Sequence, residues 1–162
     1  MKILSINIFY KKGSTGKIVY EIHKGLINNK YNSFVCYGLG EHHEENLHKF
    51  SSAFFSKFFT YVSALTGMQY TYSYLETDKL ISQIKKIEPD LVHIHIINCN
   101  IVNIYRILNY LKNKKLKTVV TFHAEYLYTG GCSHAFDCMK WKTGCVECPR
   151  LWEATHSLLF DR

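Results

Sequence analysis

The feature that most constrains this chain is an alternation. Short β-branched apolar runs are separated by stretches whose apolar residues recur at helical spacing. Residues 2–8 form an isoleucine-rich run without helical period, which suits a strand buried on both faces. A glycine-bearing turn, residues 11–16, follows. Ile18, Ile22, Leu26 and Ile27 then mark one face of a helix over about residues 15–29, with a serine or threonine cap expected. Residues 32–37 read as the next strand, closed by Gly38 and Gly40. Leu80, Ile81, Ile84 and Ile87 give a helix over 77–87, Pro89 punctuates its end, and 90–96 reads as a strand. Helical spacing returns over 101–114, and 117–122 is a β-branched strand. Strand–helix–strand units of this kind predict right-handed crossovers and an α/β fold, a Rossmann-like parallel sheet with helices on both faces.

One stretch breaks the alternation. Residues 41–49 are polar, and 50–74 are rich in aromatics, among them Phe54, Phe55, Phe58, Phe59, Tyr61 and Tyr70. At helical spacing we read these aromatics as core. The alternative is an exposed face that docks on a membrane or a lipid-bearing substrate.

With 162 residues the chain fits one ordinary domain, and 47% hydrophobic residues can fill its core. The first residues do not resemble a secretory signal, and no window approaches the roughly 18 apolar residues of a membrane span. We therefore expect a soluble, cytoplasmic protein, with peripheral contact at the inner face of the membrane as the alternative. The net charge of +7 is spread over scattered lysines, which suits a solvated face better than a binding stripe.

In a parallel α/β sheet, ligands sit beyond the carboxyl ends of the strands. That edge should gather the turn Gly13, Ser14, Thr15 and Gly16, together with His95 and His123. The turn matches neither a dinucleotide fingerprint nor a P-loop, although backbone N–H groups at a helix start favour anions. His93 and His95, two apart on a strand, should share a side and need no metal. Cys36 and Cys99 lie in apolar segments and read as buried thiols. Cys132, Cys138, Cys145 and Cys148 crowd one loop, the last two as C-x-x-C, which is the donor set of a structural zinc site. His134 could replace one thiol. Two disulfides, or four reduced thiols without metal, are the alternatives.

The same loop carries a family likeness. The run Val119-Val120-Thr121-Phe122-His123-Ala124-Glu125, then Tyr128-Thr129-Gly130-Gly131-Cys132, then Lys140-Trp141-Lys142-Thr143-Gly144-Cys145 with Cys148-Pro149, resembles bacterial family 4 glycosyltransferases of polysaccharide gene clusters. The opening strand with its Gly-Ser-Thr-Gly turn, and Pro89-Asp90-Leu91-Val92-His93-Ile94-His95, fit the same pattern. The resemblance implies the N-terminal, acceptor-side half of a GT-B fold and a retaining, hexosyltransferase-like activity. The substrates would be a nucleotide-sugar donor and a saccharide or lipid-linked acceptor. No catalytic metal is implied, so a zinc ion would be structural. It implies that Gly13 and Gly16 lie near the donor phosphates and that His123 lines the active site as the catalytic residue. Ser14, Thr15, His95 and Glu125 would serve substrate binding.

The chain departs from the family pattern at Ala124-Glu125, where relatives read an aspartate directly after the histidine, and at Ile96–Asn100. No paired-glutamate motif and no second Rossmann unit occur before Arg162. The expectation is a single domain over 1–162 with a Cys-rich loop at 130–149, inactive alone. A donor-binding C-terminal domain would then be supplied in cis or in trans. The rivals are a non-catalytic acceptor-binding or partner-subunit module and a zinc-containing nucleic-acid binder. The second suffers because Asp137, Glu147 and Glu153 dilute Lys140, Lys142 and Arg150, so no nucleic-acid partner is expected.

Overall fold

The computed structural model describes residues 1–158 apart from 96, 127, 130–131, 146 and 156. Five parallel strands make one sheet: β1 (Lys2–Phe9), β2 (Asn32–Leu39), β3 (Leu47–Lys49), β4 (Leu91–Ile94) and β5 (Lys117–Val120). Their order is β3-β2-β1-β4-β5. The helices are α1 (Gly13–Asn28), α2 (Ala53–Thr66), α3 (Tyr74–Ile87), α4 (Ile104–Asn113) and the short α5 (Leu151–Thr155). The sheet grows outward from β1 to β3, and the chain then returns across to lay down β4 and β5. Right-handed crossovers in the two directions place helices on opposite faces, which is the Rossmann-like arrangement.

Side chains divide accordingly. Leu4, Ile6 and Ile8 of β1 pack with Cys36, Phe50, Leu80, Ile84, Ile107 and Leu111 beneath α3 and α4. Val35 and Tyr37, of opposite parity on β2, pack with Tyr10, Leu47 and Val19 beneath α1. The α1 face also buries a polar seam of Ser5, Asn7, Ser33 and His23. The seam is satisfied in part internally: His23 Nδ1 meets Ser33 Oγ at 2.7 Å, and the Asn7 amide donates to the Phe9 carbonyl at 2.7 Å. Burial pulls the His23 pKa down, so the ring is neutral at pH 7.

Several sequence expectations need correction. Helix α1 starts at Gly13 after Lys12, whose side chain makes no cap bond, so the serine or threonine cap is not used. Gly38 does not end β2 but lies inside it. A Cβ there would stand 2.5 Å from Ile101 Cδ1, so the glycine admits the chain packed over it. Leu47–Lys49, read as polar connector, pairs with β2 as a short edge strand through Val35, Cys36 and Tyr37. Cys99 is exposed, whereas Cys36 is buried as expected.

The largest correction concerns α2. Phe54 is 72% exposed, and Phe58, Tyr61 and Leu65 are exposed with it, so four positions at helical spacing form an outer stripe rather than core. Phe55, Phe59 and Tyr70 are half-buried. Polar bonds hold the inner face of α2 instead. Ser63 Oγ donates to Asn100 Oδ1 at 3.1 Å, and Ser56 Oγ donates to the Cys99 carbonyl at 2.9 Å. A small-residue, hydroxyl-bearing inner face lets a helix attach with little apolar burial, and the aromatics are left outside.

Candidate functional site

All five carboxyl ends share one edge of the sheet, and the strand order reverses between β1 and β4, where such folds bind ligands. Strand β4 ends at Ile94, so His95 sits just beyond it. Its N–H donates to the Ile6 carbonyl at 2.9 Å, continuing the β1 ladder by one rung. Strand β5 is paired with β4 through His93–Val119 and Ile94–Val120, and Thr121 N–H adds a last bond to the Ile94 carbonyl at 2.9 Å.

Past that point side chains take over the pairing. His93 Nε2 meets Thr121 Oγ1 at 2.8 Å, and His95 Nδ1 meets His123 Nε2 at 3.2 Å. The two rungs are parallel because residues two apart project to one side of each chain. The His93 and His95 rings lie 3.9 Å apart between centroids, and the His95 and His123 rings 5.5 Å apart at 21°. His95 is only 2% exposed, while His123 is half-buried and lies on the accessible side of the pair. Desolvation, reinforced by the imidazoles of His93 and His123, pushes the His95 pKa down to about 4. Burial, and then His123, lowers His93 as well. Two neutral imidazoles thus back a third that a ligand can reach. Such an array can donate to or accept from a hydroxyl without carrying fixed charge.

The structure therefore joins His95 and His123 and recruits His93 and Thr121. Sequence reasoning had paired His93 with His95 on one side of the strand without metal, and had missed Thr121. Its parity with His123 on an extended run was the available signal.

The 13–16 turn lies on the same edge. Gly13 has φ +68°, a conformation that favours glycine, and the Lys11 N–H closes the turn on the Gly16 carbonyl at 3.0 Å. Gly16 is buried, and a Cβ there would stand 3.2 Å from the Phe9 carbonyl oxygen, so this glycine lets α1 approach β1 closely. Ser14 is exposed and Thr15 half-buried.

Glu125 acts locally. Its carboxylate accepts the Ala135 N–H and hydrogen-bonds the Tyr128 hydroxyl, and these bonds hold its pKa below the usual carboxylate range. Its own N–H donates to the Ser133 carbonyl at 2.8 Å. Glu125 thus clasps 133–135 to the segment after β5. Beside it opens a hollow lined by the hydroxyls and amides of Ser56, Thr60, Ser63, Gln69, Asn98, Asn100 and Ser133 together with Ala64, Tyr70 and Cys99, none of them a charged side chain.

Of the Cys-rich loop, Gly130, Gly131 and Val146 lie outside the described residues. The rest runs through a 3-10 turn at Lys140–Lys142. All four thiols are half-buried. Burial lifts the Cys132 pKa, and the Cys148, Cys145 and Cys138 sulfurs push the same way. The set fits zinc in number and in donor chemistry. Among the described residues, however, no three or more His, Cys, Asp or Glu side chains converge as a metal-holding group. Of the basic residues nearby, Arg150 pairs with Asp137 at 3.2 Å and Lys140 donates to the Glu147 carbonyl at 2.7 Å. Among the described residues no helix is long and apolar enough to cross a membrane.

No family model matches the chain. It is similar to a putative colanic acid biosynthesis glycosyl transferase, WcaC, of Escherichia coli (strain K12), with 24% identity over 165 residues. The alignment covers 93% of this chain and 40% of that protein, so the chain spans less than half the length of this relative. The likeness supports a glycosyltransferase family.

Proposed function

We propose that the chain is the acceptor-side domain of a retaining, GT-B type glycosyltransferase of the family 4 kind. It serves the transfer of a hexose from a nucleotide-sugar to a saccharide or lipid-linked acceptor in surface-polysaccharide assembly. The observation that carries this reading is the likeness to WcaC along 93% of the chain. The reachable His123 at the carboxyl edge of a parallel sheet supports it.

In this reading His123 hydrogen-bonds the transferring sugar or the acceptor hydroxyl. Backbone N–H groups of the 13–16 turn face charge developing on the leaving diphosphate. The hollow beside Glu125 offers the uncharged donors and acceptors that suit sugar hydroxyls. A second, donor-binding domain, in cis or in trans, grips the nucleotide, so the chain alone does not turn over. No catalytic metal takes part. Cys132, Cys138, Cys145 and Cys148 would hold a structural zinc ion, whose contribution is a cross-link that fixes the loop.

A lipid-linked acceptor sits at a bilayer, and α2 supplies a face for it. Phe54, Phe58, Tyr61 and Leu65 point outward from a helix that has Lys57 as its single charge and no acid. In a chain of net charge +7 this composition complements the anionic inner leaflet.

The test is co-expression with a donor-binding domain, followed by assay of transfer and hydrolysis of UDP- and GDP-sugars. Turnover is expected from the combination and not from the chain alone. Failure of both donors across saccharide and lipid-linked acceptors would leave an acceptor-binding or partner-subunit module as the surviving reading.

A further inference from the structure

We propose that His95 is a positioning residue, which sets the ring orientation and tautomer of His123 by donating its Nδ1–H to His123 Nε2. The geometry is a 3.2 Å contact between those two nitrogens, on a His95 ring that solvent barely touches. His95 Nε2 is buried and has no hydrogen-bond partner among the described residues. A neutral imidazole carries one proton, so the buried Nε2 is either a bare lone pair or a stranded N–H. Stranded buried N–H groups are the rarer and costlier case, which places the proton on Nδ1, where it has an acceptor.

His123 must then accept at Nε2. In its neutral form it therefore carries its own proton on Nδ1 and presents an N–H, not a lone pair, to whatever occupies the edge. The second rung, His93 to Thr121 at 2.8 Å, holds the chain two residues earlier, and His93 stacks against His95. The His95 side chain is thus wedged between His93 and His123 with its Nδ1 aimed at one acceptor. In this proposal His95 acts through His123 rather than by touching the substrate itself, since its ring is almost wholly enclosed. The consequence for transfer, that His123 orients a sugar hydroxyl as a donor, rests on the function proposed above. The tautomer does not.

The test is long-range proton–nitrogen correlation spectroscopy of the histidine rings in 15N-labelled chain at neutral pH. Signals are assigned by single-histidine substitution. His95 is expected as the Nδ1–H tautomer, which is the minor form of free histidine, and His123 likewise. His95→Phe keeps the ring and removes the donor, so the His123 tautomer ratio should shift by about tenfold, the worth of one buried hydrogen bond. His95→Asn, whose amide nitrogen stands near the Nδ1 position, should restore it. An Nε2–H tautomer for His95 in the unsubstituted chain, or a His123 ratio indifferent to His95→Phe, overturns the proposal. The first of these readouts needs no variant to fold. A correct tautomer in a chain that supports no sugar transfer even when combined with a donor-binding domain would refute the function and leave this inference standing.

Discussion

The sheet body, residues 2–120, and the segment after it, residues 121–158, are held together by different physics. The body buries Leu4, Ile6, Val35, Leu80, Ile84, Val92 and Ile107 almost completely, on two faces of one sheet. In the later segment Tyr126, Ala135 and Ser157 are buried among the described residues, and its order rests on clasps such as Glu125 to Ala135 and Thr129 to the Cys132 carbonyl. Apolar burial supplies roughly 25 cal/mol per Å², a term the segment can draw on only slightly. A region with so little apolar burial would gain most from a cross-link, and the proposed zinc ion on its four thiols would supply one. His123 stands where the two regimes meet: the body supplies the partner that orients it, and the segment forms the wall beside it.

The strongest way to break this contrast is metal removal. If zinc braces the segment, elemental analysis of unchelated protein should give about one equivalent, and chelation should collapse amide protection after residue 121 while leaving β1, β2 and β4 protected. Metal content near zero would sink the cross-link.

Next in size is the junction. His123→Ala in the reconstituted enzyme should lower kcat by about 10²–10³-fold per folded molecule, and leaving the His95 N–H without its acceptor should cost about 1–3 kcal/mol of stability. Unchanged activity would remove His123 from the site.

The third prediction sharpens the contrast from the body's side. The folded His95 pKa of about 4 lies below the ordinary value of 6.5. Between those values the unfolded chain takes up a proton that the native ring refuses, so stability is complete above 6.5 and falls as pH drops. The loss from this one group should be about 2 kcal/mol at pH 5 and about 3 kcal/mol near pH 4. Urea unfolding at pH 7 and pH 5 should show it in the intact chain and not in His95→Asn. An equal acid loss in the two would assign the sensitivity elsewhere.

A smaller effect separates the two buried histidines. His23→Ala strands the Ser33 hydroxyl far from the edge and should cost about 2 kcal/mol, roughly 4–8 °C in Tm. Activity per folded molecule should not change; a drop would mean that α1 couples to the site.

The smallest stability effect belongs to the outer stripe of α2. The double change Phe54→Ser and Phe58→Ser should alter stability by less than about 0.5 kcal/mol, because both rings already face water. It should nevertheless reduce flotation with phosphatidylglycerol vesicles. Equal flotation of the two proteins would discard the membrane face.

The parallel sheet and its order of elements were legible because their signals are periodic: β-branched runs for buried strands, and Leu80, Ile81, Ile84 and Ile87 for the buried face of α3. Legibility failed where one residue type serves two opposite ends. The aromatics of α2 have the spacing of a core helix, yet they lie outside because Ser56 and Ser63 attach the opposite face by hydrogen bonds. Gly38 looks like a terminator from sequence, and only the approach of Ile101 reveals it as clearance. At the site, His95 and His123 were foreseen on one edge because parallel strands end together. Their direct contact was not, since it depends on side chains continuing the β4–β5 register beyond the last backbone pair. The Cys-rich loop lies between these cases, for spacing announces the donor set and leaves its closure unspecified.

Strand β5 has a consequence for anyone who handles this chain. It lies at the border of the sheet, and no described strand pairs beyond it. Val119 is 45% exposed and Phe122 60% exposed, so backbone donors and acceptors stand open next to apolar side chains. Lys117 is the one charge guarding the strand. A neighbouring molecule can extend the sheet at this border, so self-association on concentrating the protein is expected to begin there. A second lysine at Val119 is the substitution that would lengthen the shelf life of the purified protein with least disturbance to its interior.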